Sequence, residues 1–197
     1  MTPVTLASTS AARAAILTGA GVVFEIVPPR IDEAAVKEEL LAAGAPPRQV
    51  AEALARLKAI AVSKDRPGLT IGADQTLDLD GALHDKAANL PQARRALTHL
   101  RGRTHALHAA VTVARDGAAV WEHVETARLT MRAFSDPFLD GYLARVGERA
   151  FASVGVYQLE GEGAQLFETI DGDYFAILGL PLFPLLETLR REGALSR

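Results

Sequence analysis

Residues 4–27, VTLASTSAARAAILTGAGVVFEIV, decide the fold class of this chain. The run Val4-Thr5-Leu6-Ala7-Ser8 predicts a short buried strand, and the hydroxyls of Ser8-Thr9-Ser10 favour the start of a helix. Ala11 to Leu17 predicts that helix, which ends at the glycines that follow, and Val22 to Val27 predicts a second strand. Strand, helix and strand in this order are typical of a βαβ unit and favour an α/β fold.

The remainder of the chain continues this alternation, without a repeat or a clear linker. Leu69 to Asp74 predicts a third strand that continues to the turn Asp80-Gly81, and a hairpin is predicted about Asp116-Gly117. Helices are predicted over 34–43, 48–63, 91–100, 135–146 and 182–191. We therefore predict one domain over residues 1–197, with a mixed sheet, a largely parallel core and flanking helices.

Composition excludes several classes of protein. The 197 residues contain no cysteine, which excludes a disulfide scaffold, a zinc-thiolate site and a cysteine nucleophile. A formal charge of −3 provides no basic field, so nucleic acid is not an expected partner. No apolar run reaches the ~20 residues that a membrane span needs, and the first residues do not resemble a signal peptide. We expect a cytoplasmic protein.

The first candidate site follows the first predicted strand. A helix that begins at Ser8-Thr9-Ser10 presents free backbone N–H groups and the positive end of its dipole, which bind anions. Arg13, one turn further on, is placed to bind a phosphate through two hydrogen bonds. The alternative is an ordinary capped helix with a surface arginine.

The second candidate site is the acidic end of the third strand. Asp74 lies where α/β folds place ligands, and its neighbours Gly72 and Ala73 leave it accessible; it could hold a divalent metal or orient a water molecule. Asp78 and Asp80 share its parity along the strand and could face the same way, although a solvated hairpin explains them better.

Lysine is scarce in this chain, and two of its four lysines suggest a cationic cleft. Lys58 and Lys86 could neutralise a polyphosphate together, but each alone is more simply a surface residue. In the predicted helix 48–63, Lys58 lies beside the apolar stripe rather than in its centre.

Glycines flank a third candidate, Glu160, in the segment 155–163. They let the backbone approach a ligand, and the Glu160 carboxylate could accept hydrogen bonds from a base edge; the alternative is a flexible loop. His105 and His108 are three residues apart, on opposite faces of a strand, which argues against a shared metal.

Seven short stretches in order resemble the Maf family of nucleotide pyrophosphatases, in the branch whose third strand carries G-[AS]-D-Q. The stretches are Leu6-Ala7-Ser8-Thr9-Ser10 with Arg13, Leu57-Lys58-Ala59, Ile71-Gly72-Ala73-Asp74-Gln75, Leu100 to His105, Gly155 to Gly161, Asp171 to Tyr174 and Gly179 to Leu182. Each motif is weak alone, but their order and spacing over nearly the whole chain are specific.

The resemblance implies an enzyme that cleaves a nucleoside triphosphate between its α and β phosphates. It implies an α/β fold of two lobes around a deep cleft, help from Mg²⁺ or Mn²⁺, and a possible homodimer. By position, Asp74 becomes the proton acceptor and a metal ligand. The triphosphate would be held by Ser8, Ser10, Arg13, Lys58 and Lys86.

Three positions depart from the family's UTP-specific and dTTP-specific branch: Ala12, Gln75 and Glu160. In the family these positions are tied to base choice, and Gln75 with Glu160 resembles the branch that acts on 7-methyl-GTP. An acidic Glu160 suits a methylated guanine, which is cationic and offers N–H donors. Ala12 also removes an arginine of the cleft, which keeps open a non-catalytic regulator of cell division. A different metal-dependent phosphohydrolase is the third hypothesis.

Overall fold

The computed structural model describes residues 1–196 and shows helices on both faces of one mixed sheet. The seven strands are β1 (Val4–Ala7), β2 (Glu25–Ile26), β3 (Leu69–Leu79), β4 (Ala82–His84), β5 (Thr104–Arg115), β6 (Ala118–Met131) and β7 (Phe167–Asp171). The seven α-helices are α1 (Ala11–Gly19), α2 (Glu33–Ala42), α3 (Pro47–Ser63), α4 (Leu90–Leu100), α5 (Asp136–Val146), α6 (Tyr174–Ile177) and α7 (Leu182–Arg191). Two short 3₁₀ helices cover Gly147–Ala152 and Glu162–Leu166.

The sheet has the strand order β2-β1-β3-β5-β6-β7, with β4 paired to β3. β1 pairs in parallel with both β2 and β3, which confirms the predicted βαβ unit at the start of the chain. The pairs β3–β4, β3–β5, β5–β6 and β6–β7 are antiparallel. The α/β class with a mixed sheet is confirmed, and its parallel part is the three-strand segment β2-β1-β3.

Two turns with left-handed backbones set the antiparallel register. Asp116 and Gly117 have φ values of 51° and 78°, and Asp80 and Gly81 have 53° and 83°. Positive φ at both central residues matches the twist of a two-residue hairpin, and Asp-Gly is a favoured pair there. The first turn confirms the predicted hairpin, now β5–β6. The second confirms the predicted turn at Asp80-Gly81. It joins β3 to β4, a short strand that was not itself assigned from the sequence.

The long strand β3 separates two kinds of core. On one face α3 packs through small residues, with Ala51 and Ala55 against Ala110 of β5. On the other face two hydrophobic clusters lie side by side. The cluster at the β1 end includes Leu17 of α1 and Leu185 of α7, and the cluster at the β4 end includes Leu97, Leu107 and Leu139, mainly from α4, β5 and α5.

Helix α2 differs from the other long helices because it contains no buried residue. Asp32 caps its first turn through a hydrogen bond from the backbone N–H of Ala35. Lys37 of α2 forms an ion pair with Asp85, which follows β4. Charge contacts therefore contribute to holding α2, whereas α3 is held by burial.

Several predicted boundaries moved. The second predicted strand, 22–27, is reduced to the two residues of β2, and neither β7 nor α6 was predicted from the sequence. No helix within residues 1–196 is long and apolar enough to cross a membrane. The single domain over 1–197 and its division into two lobes stay predictions; position 197 lies outside the described residues.

Candidate active site

A break along one edge of β3 makes room for a large cavity. β1 pairs with Leu69–Gly72 and β4 pairs with Leu77–Leu79, so residues 73–76 lie between the two partner strands. The cavity at this break has a volume of about 960 Å³, and Asp74, Gln75 and Thr76 line it.

A buried ammonium group holds two carboxylates at this break. Lys58 Nζ lies 2.6 Å from Asp74 Oδ1 and 2.7 Å from Glu33 Oε2. The side chain of Lys58 is only 7% exposed, and that of Asp74 is 14% exposed. A buried cation needs such partners, because an unpaired charge is costly away from water. The arrangement joins α2, α3 and β3 at one point.

The sequence analysis misplaced Lys58. It belongs to the buried face of α3, with Leu54, Ala55, Ala59 and Val62, and not to the flank of an apolar stripe. The strand beside it is the reason. A Cβ on Gly72 would lie 2.3 Å from the carbonyl oxygen of Ala55, so the absent side chain lets α3 approach β3 closely. That approach brings the lysine over Asp74.

The turn between β1 and α1 uses its hydroxyls locally. Ser10 caps α1 by accepting a hydrogen bond from the backbone N–H of Arg13. Ser8 Oγ accepts from the N–H of Ser10 at 3.2 Å and from Arg13 Nη1 at 3.3 Å. Arg13 Nε donates to the carbonyl of Gly179 at 2.9 Å. These contacts fix the guanidinium at the cavity, beside the helix N-terminus predicted to bind anions.

Like charges meet in the same cavity. Partial burial lowers the pKa of Lys86, nearby Arg13 and Lys58 lower it further, and Asp74 and Glu33 act in the opposite direction. Burial also lowers the pKa of Arg13, against the attraction of Asp74 and Glu33. In this cluster three cations face two carboxylates, a local excess of one positive charge that a phosphate would neutralise. The cavity lining as a whole is balanced, because Lys37 pairs with Asp85 and Glu160 adds a fourth carboxylate.

The residues tied to base choice lie on the same cavity. Gln75 Nε2 donates to the carbonyls of Ala176 and Ile177, at 2.9 and 3.0 Å, which leaves its amide oxygen as an acceptor. Ala12 and the exposed Glu160 also line the cavity. All nine residues assigned from the sequence to catalysis, substrate binding or base choice therefore line one cavity: Ser8, Ser10, Ala12, Arg13, Lys58, Asp74, Gln75, Lys86 and Glu160.

The two other acids of the third strand lie apart from this cavity, as expected for a hairpin. Asp78 accepts a hydrogen bond from the N–H of Gly81 and contacts His108 Nε2 at 3.3 Å. Asp80 lies in the turn, beyond the end of β3, and pairs with Arg103. Asp74 and Asp78 share a face of the strand, but Asp80 does not extend that row.

Sequence reasoning missed Glu33, the second partner of Lys58. Its only sequence signal is its position after Asp32, in the first turn of α2. Within residues 1–196 no group of three or more histidine, cysteine or acidic side chains could hold a metal ion. Two carboxylates, Asp74 and Glu33, nevertheless converge on one cationic centre, and Mg²⁺ is commonly held by one or two carboxylates together with substrate phosphates.

Comparison with known proteins agrees with this geometry. The family model described as "Maf-like protein" matches residues 3–192. The chain is 59% identical over 196 residues to a nucleoside triphosphate pyrophosphatase of Caulobacter vibrioides, an alignment that covers 100% of this chain and 98% of the relative. It is 50% identical over 192 residues to a 7-methyl-GTP pyrophosphatase of Brucella abortus, covering 97% and 96% of the two chains.

Proposed function

The chain belongs to the Maf-like protein family, and on that premise we propose that this nucleotide pyrophosphatase cleaves nucleoside triphosphates between the α and β phosphates. The products are a nucleoside monophosphate and pyrophosphate. One observation carries the proposal: the carboxylate pair at Lys58 lies in the same cavity as the cations Arg13 and Lys86. A general base and a polyphosphate site are the two components that this hydrolysis requires.

Asp74 is the general base in this mechanism. Lys58 holds Oδ1, and Oδ2 is left to accept a proton from a water molecule. The water oxygen attacks the α-phosphorus, the bond from that phosphorus to the bridging oxygen breaks, and pyrophosphate leaves. The ion pair with Lys58 holds the Asp74 carboxylate in place at the cavity, which orients Oδ2 for the proton transfer.

The triphosphate is bound by Arg13, Lys86 and the first turn of α1. Arg13 is oriented by Ser8 and Gly179, so its guanidinium needs little reordering when the substrate binds. Ser10 contributes through the cap that fixes the helix N-terminus. Lys58 differs from the role that the resemblance implies: its three hydrogens face two carboxylates first, so it positions Asp74 and Glu33 rather than acting mainly as a phosphate clamp.

Asp74 and Glu33 are also the residues that would hold Mg²⁺ or Mn²⁺. Lys58 engages one oxygen of each carboxylate, at 2.6 and 2.7 Å, so a divalent ion completed by substrate phosphates would be held by the lone pairs that remain on these two groups. When bound, such an ion spreads the charge that develops on the leaving pyrophosphate.

The base pocket favours a purine with N–H donors. Gln75 presents an amide oxygen, because its nitrogen is bound to two carbonyls of α6, and Glu160 presents a carboxylate. These acceptors suit 7-methylguanine, a cationic base with N–H donors, better than uracil or thymine. The Brucella abortus relative carries the name of that substrate. We infer a preference for 7-methyl-GTP over UTP and dTTP.

Pyrophosphate release by the purified protein with Mg²⁺ or Mn²⁺ tests the proposal. The panel contains UTP, dTTP, CTP, GTP, ATP and 7-methyl-GTP. Asp74→Asn should lower kcat by about 10²–10⁴ if it removes the general base. Asp78→Asn is the matched control, since Asp78 lies on the same face of β3 but not on the cavity, and it should keep wild-type turnover.

Other outcomes separate the remaining hypotheses. A loss below tenfold in Asp74→Asn assigns the base to another acid. Nucleotide binding without turnover in the wild type supports a regulator, with the missing arginine at Ala12 as the first position to restore. Release of orthophosphate in place of pyrophosphate indicates another phosphohydrolase. An unchanged substrate ranking in Glu160→Gln refutes the assigned base preference.

A further inference from the structure

The segment that carries Glu160 to the cavity is fixed by its own internal contacts. Ser153 Oγ accepts a hydrogen bond from the N–H of Tyr157 and donates to the carbonyl of the same residue, at 3.1 and 2.5 Å. Gly155 has no room for a side chain, since a Cβ there would lie 2.0 Å from the Tyr157 ring. Val156 has a φ of 63°, a left-handed backbone that is rare for a β-branched residue. Such a conformation persists only where surrounding contacts impose it.

Two tyrosine hydroxyls connect this segment to the rest of the fold. Tyr142 of α5 donates to the carbonyl of Val156 at 3.0 Å. Tyr157 Oη lies 2.7 Å from Nε2 of His105 on β5, and both residues are almost completely buried, at 5% and 2% exposed. The Tyr157 ring also packs edge-on against Phe167, with the ring centroids 4.7 Å apart.

The pair of His105 and Tyr157 is not explained by packing alone. Nδ1 of His105 is buried and has no hydrogen-bond partner in the described part of the chain. A buried polar atom without a partner lowers stability, so an apolar pair of similar shape would fill this space at less cost. Tyr157 is at the same time a wall of the cavity, and Gln158 and Glu160, which follow it, line the cavity too.

We propose that His105 and Tyr157 are positioning residues for base selection, which hold residues 153–163 so that Glu160 keeps a fixed place against the nucleobase. The inference rests on the proposed function, and it assigns a role to the histidine that ends the Leu100–His105 motif. The phosphate-binding and catalytic groups belong to α1, α2, α3, β3 and the β4–α4 connection, so loosening residues 153–163 leaves them in place.

The test compares base discrimination with turnover. Tyr157→Phe removes one hydroxyl and keeps the ring, and His105→Gln removes the other partner. In each variant the ratio of kcat/KM between the preferred and the poorest base should fall by at least about fivefold, the worth of one buried hydrogen bond. The loss should appear in KM, while kcat on the preferred substrate stays within about threefold of wild type. Tyr174→Phe, at an exposed tyrosine of α6, is the control.

A second readout does not depend on activity. Amide hydrogen exchange in residues 153–163 should be faster in Tyr157→Phe than in the wild type, and unchanged in Tyr174→Phe. An unchanged base ratio in a folded Tyr157→Phe overturns the proposal, as does an equal loss of kcat on every nucleotide. If the wild type cleaves no nucleotide at all, the proposed function fails instead. Unaltered hydrogen exchange in Tyr157→Phe would then show that the contact between His105 and Tyr157 does not hold residues 153–163 either.

Discussion

The contact between Gly72 and α3 gives the sharpest prediction. Gly72→Ala adds a Cβ that would lie 2.3 Å from the carbonyl oxygen of Ala55, 2.5 Å from the backbone nitrogen of Ala59 and 2.8 Å from its Cβ. These are mainly backbone atoms of a helix, so no single side chain can rotate away. An ordinary contact needs about 3.4 Å or more. Helix α3 must therefore move away from β3 by roughly 1 Å.

That movement should lower both stability and activity. Overfilling a packed core costs typically about 1–3 kcal/mol, and the upper end applies where backbone must shift. For a chain of this length, about 3 kcal/mol corresponds to a fall in Tm of roughly 6–12 °C. A 1 Å displacement also takes Lys58 Nζ out of hydrogen-bond range of Asp74, now 2.6 Å away. We expect kcat to fall by about 10²-fold.

Urea denaturation and pyrophosphate release measure the two effects on the same preparation. Gly19→Ala is the control, because Gly19 ends α1 and a Cβ there has no atom within 4 Å. It should leave activity intact and change stability by no more than about 1 kcal/mol. Surface substitutions without structural effect change the free energy of unfolding by no more than ~0.5 kcal/mol. If Gly72→Ala stays within that range of the wild type and keeps its kcat, the close contact between Gly72 and α3 does not position Lys58.

Three further predictions concern single groups. Burial lowers the pKa of His105 from 6.5 to about 4, so between these pH values the unfolded state binds one more proton than the folded state. The free energy of unfolding should therefore fall as the pH drops from 6.5 towards 4, by up to about 3 kcal/mol. Urea denaturation at several pH values should show this fall in the wild type and not in His105→Gln. Lys86→Ala should raise KM by about 10–100-fold with little change in kcat, the worth of a charged hydrogen bond to phosphate, and an unaltered KM would remove Lys86 from the site. Glu33→Gln should raise the Mn²⁺ concentration for half-maximal activity by about tenfold or more. An unchanged Mn²⁺ dependence would show that Glu33 does not help Asp74 to hold the metal.

The sequence predicted the beginning of the fold well because its signals there are local. The βαβ unit follows from apolar runs, a hydroxyl-rich turn and glycines, and the Asp116-Gly117 hairpin follows from a turn type that demands those residues. The short strands β4 and β7, of three and five residues, carry weaker signals, since so short a strand is set by its neighbour more than by its own composition. The second predicted strand was too long because most of 22–27 has no partner strand to pair with.

The candidate site was predicted unevenly for a related reason. Asp74, Arg13 and Lys86 follow from their place at the ends of strands and the start of a helix, together with the family resemblance. Glu33 was missed because it reaches the site through tertiary contact with Lys58, 25 positions later in the chain. The burial of Lys58 was missed because it depends on Gly72, whose importance is steric and is visible only when α3 is seen against β3.

The break in the edge of β3 also constrains how this chain can evolve. Asp74 and Gln75 are neighbours, and because strand side chains alternate, one faces α3 while the other faces α6. A single inserted or deleted residue between Gly72 and Asp74 would exchange those two directions at once. Substitution of residue 75 is therefore the route by which the proposed base preference can change, whereas the spacing of one residue between Gly72 and Asp74 has to be kept.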